Sequence, residues 1–144
     1  VAMGIYDRLH QILPGKPKQI FLLIGVNDIS HDLSTDSIVN MIEKNVTRIQ
    51  RESPETKLYL QSLLPIDESF NRYKKLTNKT YQIPEINDRL KALAKEKKID
   101  FIDLYPLFTE KGTNVLRKEL TYDGLHLKEE GYKIWVDAIK KKMK

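Results

Sequence analysis

Five consecutive apolar residues, Ile20-Phe21-Leu22-Leu23-Ile24, stand directly before Gly25-Val26-Asn27-Asp28. A run with no polar alternation predicts a strand covered on both faces, and such strands belong to parallel sheets flanked by helices. The run is far too short to cross a bilayer. The polar segment after it falls at the carboxyl end of that strand, where open α/β sheets hold their ligands and chemistry.

The rest of the chain alternates in the same sense. Ile5, Leu9, Ile12 and Leu13 keep helical spacing from about Met3 to Leu13, and Pro14-Gly15 ends that helix. The first strand covers Lys18 to Ile24, and a loop carries Asn27. Ser34 can cap a helix whose apolar positions Ile38, Met41, Ile42, Val46 and Ile49 run to about Glu52. A second strand spans Lys57 to Leu63. It leads into a polar stretch from Pro65 to about Thr80, longer than the usual connection and so a candidate substrate loop. A third helix carries Ile83, Ile86, Leu90 and Leu93, with Pro84 confined to its first turn. Ile99 to Leu104 reads as a third strand, and Tyr105 to Leu120 as irregular or partly helical. A final helix from about Lys128 is expected to bury Tyr132, Trp135, Val136 and Ile139. Helix and strand alternation predicts a three-layer α/β/α sandwich with a parallel sheet. With 144 residues there is room for a single domain over 1–144.

Hydrophobic residues at 40% and charged residues at 31% describe an ordinary globular chain. The absence of Cys excludes disulfides, thiol nucleophiles and thiolate metal sites, yet suits cytoplasm, periplasm and secretion alike. The net charge of +5 concentrates in Lys140, Lys141, Lys142 and Lys144 and in the pairs Lys74-Lys75 and Lys97-Lys98. No basic helix interleaved with aromatics emerges, so the charge is read as solvated surface, with neither nucleic acid nor membrane as partner.

Far along the chain stands Asp123-Gly124-Leu125-His126. An Asp three residues before a His can orient an imidazole, although alone the segment can equally be a turn leading into a helix. Asn27 and Asp28 can likewise form a plain Asx turn. Their joint occurrence shifts the balance. The two segments resemble blocks of the SGNH (GDSL) family of esterases and acylhydrolases, whose signature supplies a Ser, a Gly, an Asn and a His. Gly25-Val26-Asn27-Asp28 looks like the block bearing the Asn, and Asp123-Gly124-Leu125-His126 like the block bearing Asp and His, with Gly131-Tyr132 following as relatives have it.

The resemblance implies a flavodoxin-like SGNH hydrolase fold and a serine esterase that removes small acyl groups, acetyl in particular, from a carbohydrate or lipid-like substrate. His126 is then the general base, Asp123 its orienter and Asn27 an oxyanion donor. Gly25 permits the turn that aims Asn27, and Asp28 fixes the loop. His31 and Ser30 are substrate-loop candidates. No G-D-S or G-x-S-x-G stands anywhere in the 144 residues. The Ser and Gly blocks are therefore expected upstream, the chain being an N-terminally truncated portion that is inactive by itself. Removing those strands would leave Ile20-Ile24 as an apolar edge, open to homo-oligomers or strand-swapped pairing. The rival reading is a non-catalytic ligand-binding or scaffold protein of the same fold. A phosphate or nucleotide module of flavodoxin type would need a Gly-rich loop or clustered acidic strand ends, which the chain lacks.

No cofactor is expected, and no metal: His10 and His31 have no Asp or Glu at ligand spacing with a second His. Ser30, Ser62 and Ser69 are expected to serve loops or caps. Tyr122 and Trp135 are read as packing around the final helix, and Asn87 and Arg89 as solvent or interhelix contacts.

Overall fold

Three parallel strands form the sheet at the centre of the chain, β1 (Gln19–Leu22), β2 (Lys57–Gln61) and β3 (Asp100–Ile102), in the order β1-β2-β3. They are seen in a computed structural model that describes residue 15, residues 17–23 and residues 26–143, with only the backbone of Val26 and Asn27. The helix expected from Met3 to Leu13, His10, Ile24 and Gly25 lie outside the described residues. The register pairs Ile20 with Leu58 and Leu60 with Phe101.

Helices fill the intervals: α1 (Val26–Ser30), α2 (Thr35–Glu52), α3 (Gln82–Lys97), α4 (Tyr105–Phe108) and α5 (Glu129–Met143). Ser34 caps α2 as its sequence position predicts, accepting from the N–H of Ser37, a bond worth about 1 kcal/mol. The apolar stripe Ile38, Ile42, Val46 and Ile49 is almost wholly buried, each side chain contributing about 1.5–3 kcal/mol of transfer free energy.

The period of two along β2 sorts the core into two layers. Leu58 and Leu60 pack with the stripe of α2 and with Ile83, Ile86, Leu90 and Leu93 of α3. Tyr59 points the other way, stacked on Phe21 at 4.6 Å between ring centroids and grouped with Phe108, Leu116, Leu120 and Leu127. Trp135 and Ile139 of α5 close that side. The three-layer α/β/α arrangement with a parallel sheet follows. Among the described residues no helix is long and apolar enough to cross a membrane, and β1 and β3 are the two edge strands.

Four expectations change. The Asn27 segment is one helical turn, α1, in place of a loop. All three strands are shorter than their apolar runs. In α5, Tyr132 and Val136 are about half exposed at 52% and 46%, because the packed stripe runs Gly131, Ile134, Trp135, Ala138, Ile139. Gly131 lies on this packed face: a Cβ there would stand 3.1 Å from Leu127 Cβ, tighter than most real Cβ contacts, so a larger residue would push Leu127 aside. Tyr122, expected to pack on the helix, is instead 72% exposed, with Lys128 Nζ 4.9 Å above its ring.

Candidate active site

The segment from Thr121 to Leu127 is folded on itself by its own side chains. Thr121 and Leu127 form an antiparallel bridge. The buried Thr121 hydroxyl donates to the His126 carbonyl at 2.6 Å and accepts from the Gly124 N–H at 3.0 Å. Inside this loop, Asp123 Oδ1 accepts from the backbone N–H groups of Leu125 and His126 at 2.9 and 2.8 Å. Two backbone donors on one oxygen aim the other, Oδ2, at the imidazole. His126 Nδ1 lies 2.8 Å from Oδ2. The His126 side chain is 66% exposed and that of Asp123 only 16%, so the far side of the ring faces solvent while the carboxylate is shielded.

A second segment clamps the first. The stretch leaving the carboxyl end of β2, expected as a substrate loop, is built of two 3-10 turns, Glu68–Phe70 and Lys74–Leu76. Asp67 donates its N–H to the Gly124 carbonyl at 2.9 Å. Gly124 sits at φ +90°, and a Cβ there would lie 2.3 Å from the Asp67 carbonyl oxygen, so the close approach requires glycine. Tyr73 Oη stands 2.6 Å from Asp123 Oδ2 and 3.0 Å from His126 Nδ1. Burial works to raise the Asp123 carboxyl, but the donors from Tyr73, His126 and Leu125 outweigh it and hold it well below the usual carboxylate range. The bond to Asp123 in turn pushes the Tyr73 phenol above its ordinary value.

The clamp has its own anchor. The buried Asp67 carboxylate accepts from Ser69 N–H at 3.0 Å, Ser69 Oγ at 2.5 Å and Lys118 Nζ at 3.0 Å. Burial would raise this carboxyl, and those bonds bring it below the ordinary value. Lys118 also lies 5.6 Å above the Phe70 ring. Glu68 closes the segment by accepting from Asn78 N–H and Thr80 Oγ1.

The two motifs found in the sequence converge on this clamp. α1, which carries Asn27 and Asp28, packs against the turn Lys74–Leu76 just after Tyr73. Asp28 is buried, and its backbone carbonyl accepts from the N–H groups of His31 and Leu33. The side chain of Asn27 and all of Gly25 lie outside the described residues. Ser30 is half-buried and His31 exposed, whereas the Asp–His pair is held by Tyr73 and by the backbone of its own loop. Asp32, next to His31, pairs with Lys79 and ties the α1–α2 turn to the clamp.

Ser62 and Ser69 serve backbone and carboxylate: Ser62 Oγ is buried and accepts from the N–H groups of Leu104 and Tyr105 at the start of α4. Asn87 departs from its expected place as a solvent or interhelix contact. It is buried and grips Leu63 at both ends, accepting its N–H at 2.7 Å and donating to its carbonyl at 3.1 Å. An amide side chain thereby satisfies backbone groups that lie just past the end of β2. Arg89 pairs with Asp36 of α2, an interhelix contact as expected. Trp135 donates to Gln61 Oε1 at 2.7 Å, at the end of β2. Among the described residues no group of three His, Cys, Asp or Glu is placed to hold a metal ion.

Tyr73, Asp67 and Thr121 were not found from sequence. Tyr73 lies 50 residues from Asp123 in a stretch with no periodicity. The one available signal was an aromatic hydroxyl in a long loop at the carboxyl end of a strand.

A parallel-sheet α/β/α domain with an ionised Asp and an exposed His, held by a loop leaving the carboxyl end of a strand, defines the class. Within that class the chain belongs to the GDSL-like lipase/acylhydrolase family, whose model matches residues 2–134. Among solved structures it is similar to a GDSL-like lipase from Bacteroides thetaiotaomicron, at 23% identity and a TM-score of 0.87 over 98% of this chain and 69% of that one. It is also similar to an acetylxylan esterase from Geobacillus stearothermophilus, at 15% identity and a TM-score of 0.79 over 99% of this chain and 67% of that one. At these identities the likeness is one of fold. A curated relative, the N-acylneuraminate cytidylyltransferase of Escherichia coli O18:K1:H7, is 27% identical over 83% of this chain. The chain spans 27% of that relative's length.

Proposed function

We propose that this chain is the Asp–His portion of a serine esterase that hydrolyses small acyl esters, acetyl foremost, of a carbohydrate or lipid-like alcohol. The observation that carries the reading is the bond of 2.8 Å between His126 Nδ1 and Asp123 Oδ2, with the imidazole otherwise open to solvent. With its proton on Nδ1, His126 presents a bare Nε2 that takes the proton of a Ser hydroxyl and returns it to the leaving alkoxide. Asp123 holds the tautomer and balances the imidazolium. Asn27 donates to the tetrahedral oxyanion, a donor typically worth about 10²–10³ in rate. The nucleophile is a Ser outside these 144 residues, which contain no G-D-S. Acetyl as the acyl group rests on the combination of Gly25-Val26-Asn27-Asp28 with Asp123-Gly124-Leu125-His126-Leu127, which resembles the acetylhydrolase-like branch of the family.

The test is hydrolysis of p-nitrophenyl acetate and of an acetylated xylooligosaccharide by a protein that joins this chain to an upstream Ser block, with and without His126→Ala. Loss of about 10⁶-fold in turnover with retained fold is the expected result. The absence of a nucleophile motif from the chain favours one second reading, an acyl-sugar binder of the same fold. No hydrolysis in either version, with equal ligand binding in both, would establish the binder and overturn the esterase.

A further inference from the structure

Three polar atoms form a closed triangle beside the imidazole. Tyr73 Oη is 2.6 Å from Asp123 Oδ2 and 3.0 Å from His126 Nδ1, and Nδ1 is 2.8 Å from the same Oδ2. The phenol has one hydrogen and can spend it in either of two directions. Donated to Nδ1, it would leave the imidazole proton on Nε2 and spoil a base that must accept there. Donated to Oδ2, it turns the lone pairs of Oη towards Nδ1, which then faces two acceptors and is driven to carry the proton itself.

The surroundings decide between these directions. Asp123 is an ionised carboxylate whose Oδ1 is already filled by two backbone donors, so Oδ2 is the strongest acceptor within reach of the phenol. We propose that Tyr73 is a positioning residue for the Asp123–His126 pair, donating to Asp123 Oδ2 and thereby locking His126 as its Nδ1–H tautomer. This rests on the reading of His126 as the base.

The location of Tyr73 suits that task. It opens the turn Lys74–Leu76, its carbonyl accepts from the Leu76 N–H at 2.9 Å, and Leu76 is buried in the core. Its ring stands 5.8 Å from the imidazole, tilted at 56°. Asp123 across the contact and Arg72 on the same segment are the charged groups that act on the phenol, in opposite directions. Because the turn also packs against α1, Tyr73 couples the segment bearing Asn27 to the one bearing the base.

The experiment is nitrogen-15 NMR of the imidazoles at a pH where His126 is neutral, in the wild-type chain, Tyr73→Phe and Asp123→Asn, with His126→Gln to assign the signal. The wild type should show the Nδ1–H tautomer with its proton far downfield. Tyr73→Phe should move that proton upfield and bring in the Nε2–H tautomer, although the phenyl ring preserves the packing. If Tyr73→Phe matches wild type while Asp123→Asn disturbs the tautomer, the role of Tyr73 is overturned and that of Asp123 stands. If neither variant changes the imidazole, the Asp–His reading falls with it. A second measurement needs no Tyr73 variant: the carbon-13 titration of the Tyr73 ring should lie above that of an ordinary tyrosine and drop in Asp123→Asn. An ordinary titration in the wild type would overturn the proposal.

Discussion

The layer between the sheet and helices α2 and α3 and the clamp over the segment 121–127 are held by opposite physics. In the first, Ile38, Ile42, Val46, Leu60, Ile86 and Leu90 meet as interchangeable apolar volume, buried almost completely and without direction. In the second, Thr121, Asp123, Tyr73, Asp67 and Lys118 meet atom to atom, each bond naming a donor and an acceptor. Apolar packing supplies most of the free energy of such a domain but is non-directional. Hydrogen bonds contribute less each, yet they fix where a proton can go. The contrast teaches that stability and chemical geometry are supplied here by different kinds of contact, which meet where Leu76, Tyr73 and Leu125 pack against the apolar layer.

Substitutions can break or sharpen that contrast. The largest effect is expected from Ile42→Ala, which empties a fully buried site and should cost about 2–5 kcal/mol. Urea unfolding should record that loss while the downfield imidazole proton of the native state stays where it is. A displaced imidazole signal would show that the two regions are not separable.

Gly124→Ala should invert the pattern. The new Cβ meets the Asp67 carbonyl at 2.3 Å, on a backbone at φ +90°, and the strain is worth about 1–3 kcal/mol. Most of the consequence should be local: the imidazole signal should shift or broaden and any esterase activity fall, with a smaller change in urea midpoint than Ile42→Ala gives. A loss of stability as large as that of the core variant, with the imidazole undisturbed, would refute the division.

The smallest and most graded effect is in acid. Asp123 and Asp67 both titrate below the ordinary carboxylate value when folded. Their ionised forms therefore contribute stability that is fully present above the unfolded value of about 3.9 and declines as pH falls through the depressed folded values. Asn substitution at either position should flatten the acid limb of the stability curve, measured by thermal unfolding between neutral and strongly acid pH. Ile42→Ala should lower that curve without changing its slope.

How far the sequence could be read follows the same line. The stripe of α2, its Ser34 cap and the alternation of helices and strands were legible because they depend on residues a few positions apart. The Asp123–His126 pair was legible for the same reason, its spacing of three being closed by one turn of chain. The phase of α5 was misread by one position. Tyr132 and Val136 satisfy an apolar pattern as well as Ile134 and Ala138 do, and only the packing of the helix against its neighbours chooses between them. Asn87 looked like any polar residue on a helix until Leu63 was found beside it.

By itself, then, the sequence determined the order of elements, the parallel α/β class and the pairing of Asp123 with His126, all properties written in local spacing and apolar periodicity. Only the tertiary structure decided that the long segment after β2 is a clamp, that Asp67 and Lys118 anchor it, and that Tyr73 reaches both members of the pair. Such contacts join residues about fifty positions apart, and no local preference encodes them. They come into being when the packed helices and sheet bring two loops to the same point.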